Sequence, residues 1–304
     1  MTVMTSAQFT DLVEPINNSV FDGVYQEHPE EWSRIFTKKQ GKRARYQETA
    51  VVFGFGAAKE KPEGQALETD FGGIHYRTRA TYKVFGLGFA LTEEMMEDSE
   101  ALELGAHYSA ELARSLKQSK EVFHADVLNR SETAGSELGD GATLLSASHP
   151  YAIGGTFSNR LAAPADLSEA SLEALLIMVR TAKNDRLRPI HLRPKNLIVP
   201  PQLEYVAARL LRSTHQPGTA NNDINALRSM GKLPTEPVVM TYITQENAYW
   251  IHTDAPNGLM HYWRRVVKRG MEGDFATGNM HYKATERYVA LAEGPRCVYG
   301  SLGI

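Results

Sequence analysis

Gly54-Phe-Gly56-Ala-Ala-Lys59 comes nearest to a chemical motif, since glycines ahead of a lysine can wrap backbone amides around a phosphate. The full spacing of a phosphate loop is missing and no helical pattern follows, so the stretch reads as a turn. No Gly-x-Ser-x-Gly elbow places a nucleophilic serine. Ten histidines (28, 75, 107, 124, 149, 191, 215, 252, 261 and 281) are scattered. None forms the His-x-x-x-His pair of a helical zinc site, and each reads as a surface or hydrogen-bonded residue. Glu93, Glu94, Glu97 and Asp98 follow Thr92, a plausible helix N-cap, where the helix dipole accounts for them without catalysis. Asn221-Asn222-Asp223 before Ile224, after a Pro217-Gly218 turn, likewise reads as a helix cap. The single cysteine, Cys297, excludes an intramolecular disulfide and reads as a buried, inert thiol. Neither a catalytic constellation nor a cofactor or metal site is expected.

The basic residues form two clusters. Arg34, Lys38, Lys39, Lys42, Arg43 and Arg45 run without an intervening acid. They read either as a solvated arm or as a contact with phosphate or an acidic neighbour. Arg264-Arg265 and Lys268-Arg269 stand beside Tyr262 and Trp263, a mixture that suggests nucleic acid. Strand alternation would send these four cations to different faces, which weighs against that reading. A net charge of −3 argues against a dedicated nucleic-acid condenser. The N-terminal residues show no signal-peptide pattern, and no run approaches the ~20 apolar residues of a membrane span, so a soluble cytoplasmic product is expected.

The elements around these residues give an α+β order. Tyr46–Phe55 and Ile74–Phe85 read as two strands of a long hairpin with a polar Gly/Pro tip. In the second strand Ile74, Tyr76, Thr78, Ala80, Tyr82 and Val84 share one face, opposite His75, Arg77, Arg79, Thr81 and Lys83. A lone hairpin of this length is marginal in water, so it must lie on its own domain or on another chain. No proline occurs from Glu63 through His149, and a long helix is expected from near Ala101 to Arg130, directly after the hairpin. Leu112, Leu116, Phe123 and Val127 form its apolar stripe, with Arg114, Lys117, Gln118, Glu121 and Asp126 opposite. A short helix surrounds Ala7–Pro15. Ser168 caps a helix lined by Leu172, Leu175, Leu176 and Val179, Leu197–Val199 is a short strand, and Pro201 starts another helix. Val238–Ile243 and Ala248–His252 read as paired strands, and strands around Met260–Val267, Met280–Ala292 and Cys297–Leu302 close the chain. The closing strands are expected to return to the region of the long helix, leaving a compact inserted segment between.

Several separate blocks resemble the major head subunits of Mu-like and related tailed bacteriophages. They are Asn159–Leu175, Arg193-Pro-Lys-Asn-Leu-Ile-Val-Pro-Pro201, Pro217–Leu227, Asp254-Ala-Pro-Asn-Gly258, Gly270–Phe275 and Tyr282–Tyr288, in the family's order. The likeness covers the chain from about Tyr46 onward. It implies the Hong Kong 97-type capsid fold: an N-terminal arm (1–45), an extended hairpin loop (46–90), a peripheral domain with a spine helix (91–150 and 261–304) and an axial α/β domain (151–260).

The resemblance further implies a structural subunit rather than an enzyme. It would assemble into pentamers and hexamers of an icosahedral head around double-stranded DNA, in the virion after assembly in a bacterial cytoplasm. Phe53, Phe55, Lys59, Lys61, Phe71, Tyr76, Arg77 and Arg79 are the candidate contacts between subunits, and Lys38, Lys39, Lys42 and Arg43 the candidates for facing DNA. Expected partners are further copies of the chain, non-specifically held DNA, a separate scaffold, a maturation protease, a portal and a decoration protein, with no membrane and no covalent cross-link through Lys59 or Lys61. An encapsulin-like protein compartment and a soluble α+β enzyme are the alternatives.

Overall fold

The computed structural model describes residues 6–27, 29–92, 94–95, 101–215, 224–274 and 276–304. The expectations at His28, Glu93, Glu97, Asp98, Pro217-Gly218, Asn221–Asp223 and Phe275 lie outside the described residues. In chain order the elements begin with α1 (Ser6–Glu27), a 3-10 turn (Glu31–Arg34), β1 (Thr37–Gln40), β2 (Tyr46–Phe53), β3 (Gly73–Thr81), β4 (Lys83–Leu91) and α2 (Ala101–Asn129). Then follow β5 (His149–Pro150), β6 (Thr156–Phe157), α3 (Glu169–Arg180), β7 (Pro194–Val199), α4 (Glu204–Arg212), α5 (Ala226–Ser229) and β8 (Val238–Val239). The chain closes with β9 (Tyr249–Thr253), β10 (Leu259–Gly273), β11 (Met280–Ala292) and β12 (Val298–Ser301).

Two four-stranded sheets organise the molecule. The first has the order β1-β10-β11-β4, with β1 parallel to β10 and the other pairs antiparallel. Helix α2 lies on one face, where Leu112, Ala113 and Leu116 pack on Tyr282, Ala284 and Phe21. Farther along, Ala125 and Leu128 join Trp32, Ile35, Phe36 and Trp250. Truncating a buried leucine such as Leu116 to alanine costs about 2–5 kcal/mol. Along β11 burial alternates at first and then becomes continuous from Tyr288 onward. The reason is a second cover: Met260, Tyr262, Val289 and Leu291, on the face away from α2, pack under Tyr82 and Ala80 at the base of the hairpin.

The second sheet has the order β12-β9-β7-β8. All five residues of β9 are buried because its two faces meet different cores. Tyr249 and Ile251 join the leucines of α3 and α4, whereas Trp250 joins the core under α2. Ser168 caps α3 reciprocally: its hydroxyl accepts from Ser171 N (3.2 Å), and Ser171 Oγ accepts from Ser168 N (3.0 Å).

Several expectations are corrected. The strand expected over Ile74–Phe85 divides at Tyr82, where the chain leaves the hairpin and enters the first sheet as β4. The alternation slips there, so Val84 is exposed while Phe85 stacks on Tyr288. A sheet strand therefore stands between hairpin and helix, and the first hairpin strand ends at Phe53 rather than Phe55. Val238-Val239 pairs in parallel with β7, not with β9, because the intervening turn carries Met240–Ile243 back into the core. The last strand, β12, hydrogen-bonds to β9 of the second sheet, while its Val298 joins the core that Ala125 and Leu128 of α2 line. Helix α1 extends well beyond Pro15, to Glu27.

Candidate functional site

The hairpin carries most of the candidate contact residues, and its strands are already supported by their own chain. Thr78 donates to Glu293 O (3.1 Å), Tyr82 Oη donates to Gln47 Oε1 (2.7 Å), and Thr49 donates to Glu293 Oε1 (2.8 Å). Tyr76 turns inward with them, and burial raises its phenol above the ordinary value. Arg77 and Arg79 point outward and share Glu48 on β2 at 3.1 and 3.0 Å, holding that carboxyl below the usual range. What stands clear of the body is the loop between the strands.

That loop exposes apolar side chains to solvent. Phe55 is 64%, Leu67 75% and Phe71 69% exposed, and at the adjoining strand ends the exposed Val52 stands opposite Ile74. Phe53 is half-buried and meets Phe71 edge-on at 6.4 Å. Lys59 pairs with Glu68 (2.6 Å), and Lys61 is exposed beside them. Solvent-exposed apolar groups grouped on one projection mark a surface for another molecule.

A second feature lies on the sheet face away from α2, beyond the hairpin base. Strand β10 is irregular between Trp263 and Arg265 and again between Arg265 and Lys268. Such bulges add a residue and re-aim side chains. Arg264 and Arg287 both stand near Tyr82, and Arg265 donates to Thr285 Oγ1 (2.7 Å). The expected scattering of Arg264 and Arg265 to opposite faces therefore fails, and both join Arg287. Lys39 aligns with Tyr262 on the same side, and Lys42 and Arg43 follow in an exposed loop. Lys38 is not among them, because it points to the α2 side, pairs with Glu30 (2.7 Å) and lies over Trp32. Arg269 also turns to the helix side and pairs with Asp22 (2.6 Å).

Sequence reasoning missed a buried polar cluster under α2. Lys120 and Glu286 are fully buried and 3.1 Å apart, with Glu30 at 3.5 Å and the Tyr25 hydroxyl against Lys120 Nζ. Tyr25 also donates to Glu286 (3.0 Å), and burial raises both its phenol and the Glu286 carboxyl. The cluster ties α1, α2 and β11 together, and removing one partner of such a pair costs about 3–5 kcal/mol. A signal was present: Leu112, Leu116, Lys120, His124 and Leu128 recur every four residues, so a lysine and a histidine sit in the apolar row. Glu121, expected on the solvent side, is buried and accepts from Glu31 N (2.9 Å) and Trp32 N (3.2 Å). His124 Nδ1 donates to Lys120 O (2.7 Å), and burial next to Lys120 disfavours a charge on either imidazole, so His124 Nε2 is left to accept from His261 Nδ1 (2.8 Å) with both rings neutral. Cys297 is fully buried, with its thiol pushed up to about 12. Among the described residues no group of three His, Cys, Asp or Glu could hold a metal ion, and no helix is long and apolar enough to cross a membrane.

The comparisons agree with a building block rather than a catalyst. The sequence profile of a family described as phage capsid protein matches residues 76–301, most of the chain. The chain belongs to the phage capsid protein family. Its role is accordingly structural and not enzymatic. The capsid protein also has the Hong Kong 97-like fold. It is similar to the capsid subunit of an empty GTA particle, at a TM-score of 0.54 and 12% identity over 92% of this chain and 96% of that chain. The procapsid subunit of bacteriophage JBD30 gives a TM-score of 0.54 and 12% identity over 98% of this chain and 76% of that one. The virus-like particle from Pyrococcus furiosus gives a TM-score of 0.52 and 11% identity over 94% of this chain and 98% of that one. No curated protein matches the sequence.

Proposed function

We propose that this capsid protein is a Mu-like major head subunit that assembles into pentamers and hexamers of a closed icosahedral shell enclosing double-stranded DNA. The carrying observation is the loop between β2 and β3, whose Phe55, Leu67 and Phe71 are exposed while the strands beneath it are held by their own chain. A neighbouring copy is the partner that would cover them. In this reading 1–45 is the arm, 46–90 the extended loop, 91–150 with 261–304 the peripheral domain, and 151–260 the axial domain. Assembly takes place in a bacterial cytoplasm, with scaffold, maturation protease, portal and decoration proteins as the further partners. DNA is held without sequence preference, with Lys39, Lys42 and Arg43 as candidate contacts, so its retention falls with added salt.

Replacing Ala57–Thr69 with a four-residue Gly/Ser turn tests the role of the loop. The subunit should keep its stability within about 0.5 kcal/mol, as for surface changes generally, while shells imaged by electron microscopy fall at least tenfold. Shells at normal yield would remove the loop from the assembly mechanism. The same fold could also serve a compartment for protein cargo; nuclease-protected DNA in purified shells decides for the head subunit, and cargo protein without DNA decides against it.

A further inference from the structure

The loop root is gripped by a turn of the compact segment, far away in sequence. Asn184–Arg188 closes on itself: Asn184 N donates to Arg188 O (2.8 Å), and Asn184 Oδ1 accepts from Arg186 N and Arg188 N, each at 2.9 Å. Leu187 sits at φ 58°, a conformation a bulky residue adopts only where its surroundings impose it. Behind the turn, the nearly buried Asp185 pairs with Arg296 (2.9 Å), which also donates to Lys183 O (2.9 Å). His75 of β3 lies 3.6 Å from the same carboxylate.

This rigid turn presents two guanidinium groups to both legs of the loop. Arg186 donates through Nε to Gly54 O (3.2 Å) on one leg. On the other leg its Nη2 reaches Asp70 Oδ1 (3.1 Å) and Phe71 O. Its plane also lies over Phe53 and Phe71, at 5.3 and 5.0 Å from the ring centroids. Asp70 completes the grip by accepting from Gly56 N (2.6 Å), and Arg188 donates to Gly56 O (2.7 Å). The Arg186 side chain is only 16% exposed, whereas residues 57–72 are exposed throughout. The planar fork of arginine can satisfy several acceptors in fixed directions, which a lysine ammonium cannot do.

We infer that Arg186 is the positioning residue that fixes the direction in which the loop leaves the subunit before any neighbour is present. A loop root held at five points enters an interface already oriented, so less ordering entropy opposes association. The consequence for assembly rests on the capsid reading; the orientation itself does not.

Spin labels at Gln65→Cys and Glu173→Cys, both exposed positions, report the loop direction in the unassembled full-length subunit by pulsed electron resonance, the native Cys297 being fully buried. The parent should give one narrow distance distribution. Arg186→Ala should broaden it at least twofold, Arg186→Lys should fail to restore the narrow distribution, and the thermal midpoint should stay within a few degrees. An unchanged distribution in Arg186→Ala overturns the inference. Assembly rate is measured in parallel on the unlabelled Arg186→Ala subunit. A several-fold loss supports the full chain of reasoning, whereas broadening with unchanged assembly upholds the positioning role and contradicts the assembly role of the loop.

Discussion

At the residue scale, the buried imidazoles under α2 determine how the subunit responds to acid. His124 is lowered to about 3 and His261 to about 2, first by burial, with Lys120 and Lys38 further disfavouring a charge. His252, buried in β9 of the second sheet, is lowered to about 4, first by burial. In the unfolded chain each would take a proton as pH falls below about 6.5, so the unfolded state binds more protons and stability falls. Glu121 acts in the opposite direction. Burial raises its carboxyl to about 7, so between about 7 and 4.5 the folded state binds the extra proton and gains stability on acidification. Burial raises the Glu286 carboxyl in the same sense, and three imidazoles against these two carboxyls leave a net loss. The urea midpoint is expected to fall between pH 7 and pH 5, with a shallower slope in His261→Gln. A midpoint that is flat or rises over that interval would contradict the neutral histidine pair.

At the element scale, the hairpin strands behave as part of the subunit body rather than as a free arm. Gly139, in the segment after α2, runs so close beneath β3 that an added Cβ would come well inside 3.0 Å of the Arg77 backbone. Gly139→Ala must therefore push β3 outward, at a cost of about 1–3 kcal/mol. Hydrogen exchange should show faster exchange along 73–81, with α3 and α4 unaffected. Unchanged protection in β3 would mean that the strand is not held there. The hairpin, α2 and α3 were legible in the sequence because each has a regular period over many residues and, at Ser168, a cap. The slip at Tyr82 was not, because alternation continues in the sequence while the hydrogen-bonding partner changes from β2 to β11. The bulge that brings Arg264 and Arg265 to one face was hidden for the same reason, since a single extra residue leaves no compositional mark. Lys120 and Glu286 were readable only singly, as polar residues within apolar rows, because the two halves of the pair lie 166 positions apart.

At the scale of the whole molecule, separate observations converge on one subunit design. Two packed sheets share a core through β9, the base of the hairpin packs on the first sheet, and the loop projects with an apolar surface. The candidate contacts named from sequence are divided by this geometry: Phe55, Lys59, Lys61 and Phe71 are open to a partner, whereas Tyr76 faces its own chain. The order of the family blocks was legible; the gripping turn at Arg186 was not, because it joins residues more than a hundred positions apart. Obligate interfaces commonly bury ~2,000 Å² or more, so many weak loop contacts repeated around a closed shell would be hard to dismantle. Electron cryomicroscopy of assembled protein tests this most directly. Closed shells in which residues 54–72 of each copy lie on an adjacent copy are the predicted result; small, uniform oligomers under all conditions, including with a scaffold protein present, would contradict it.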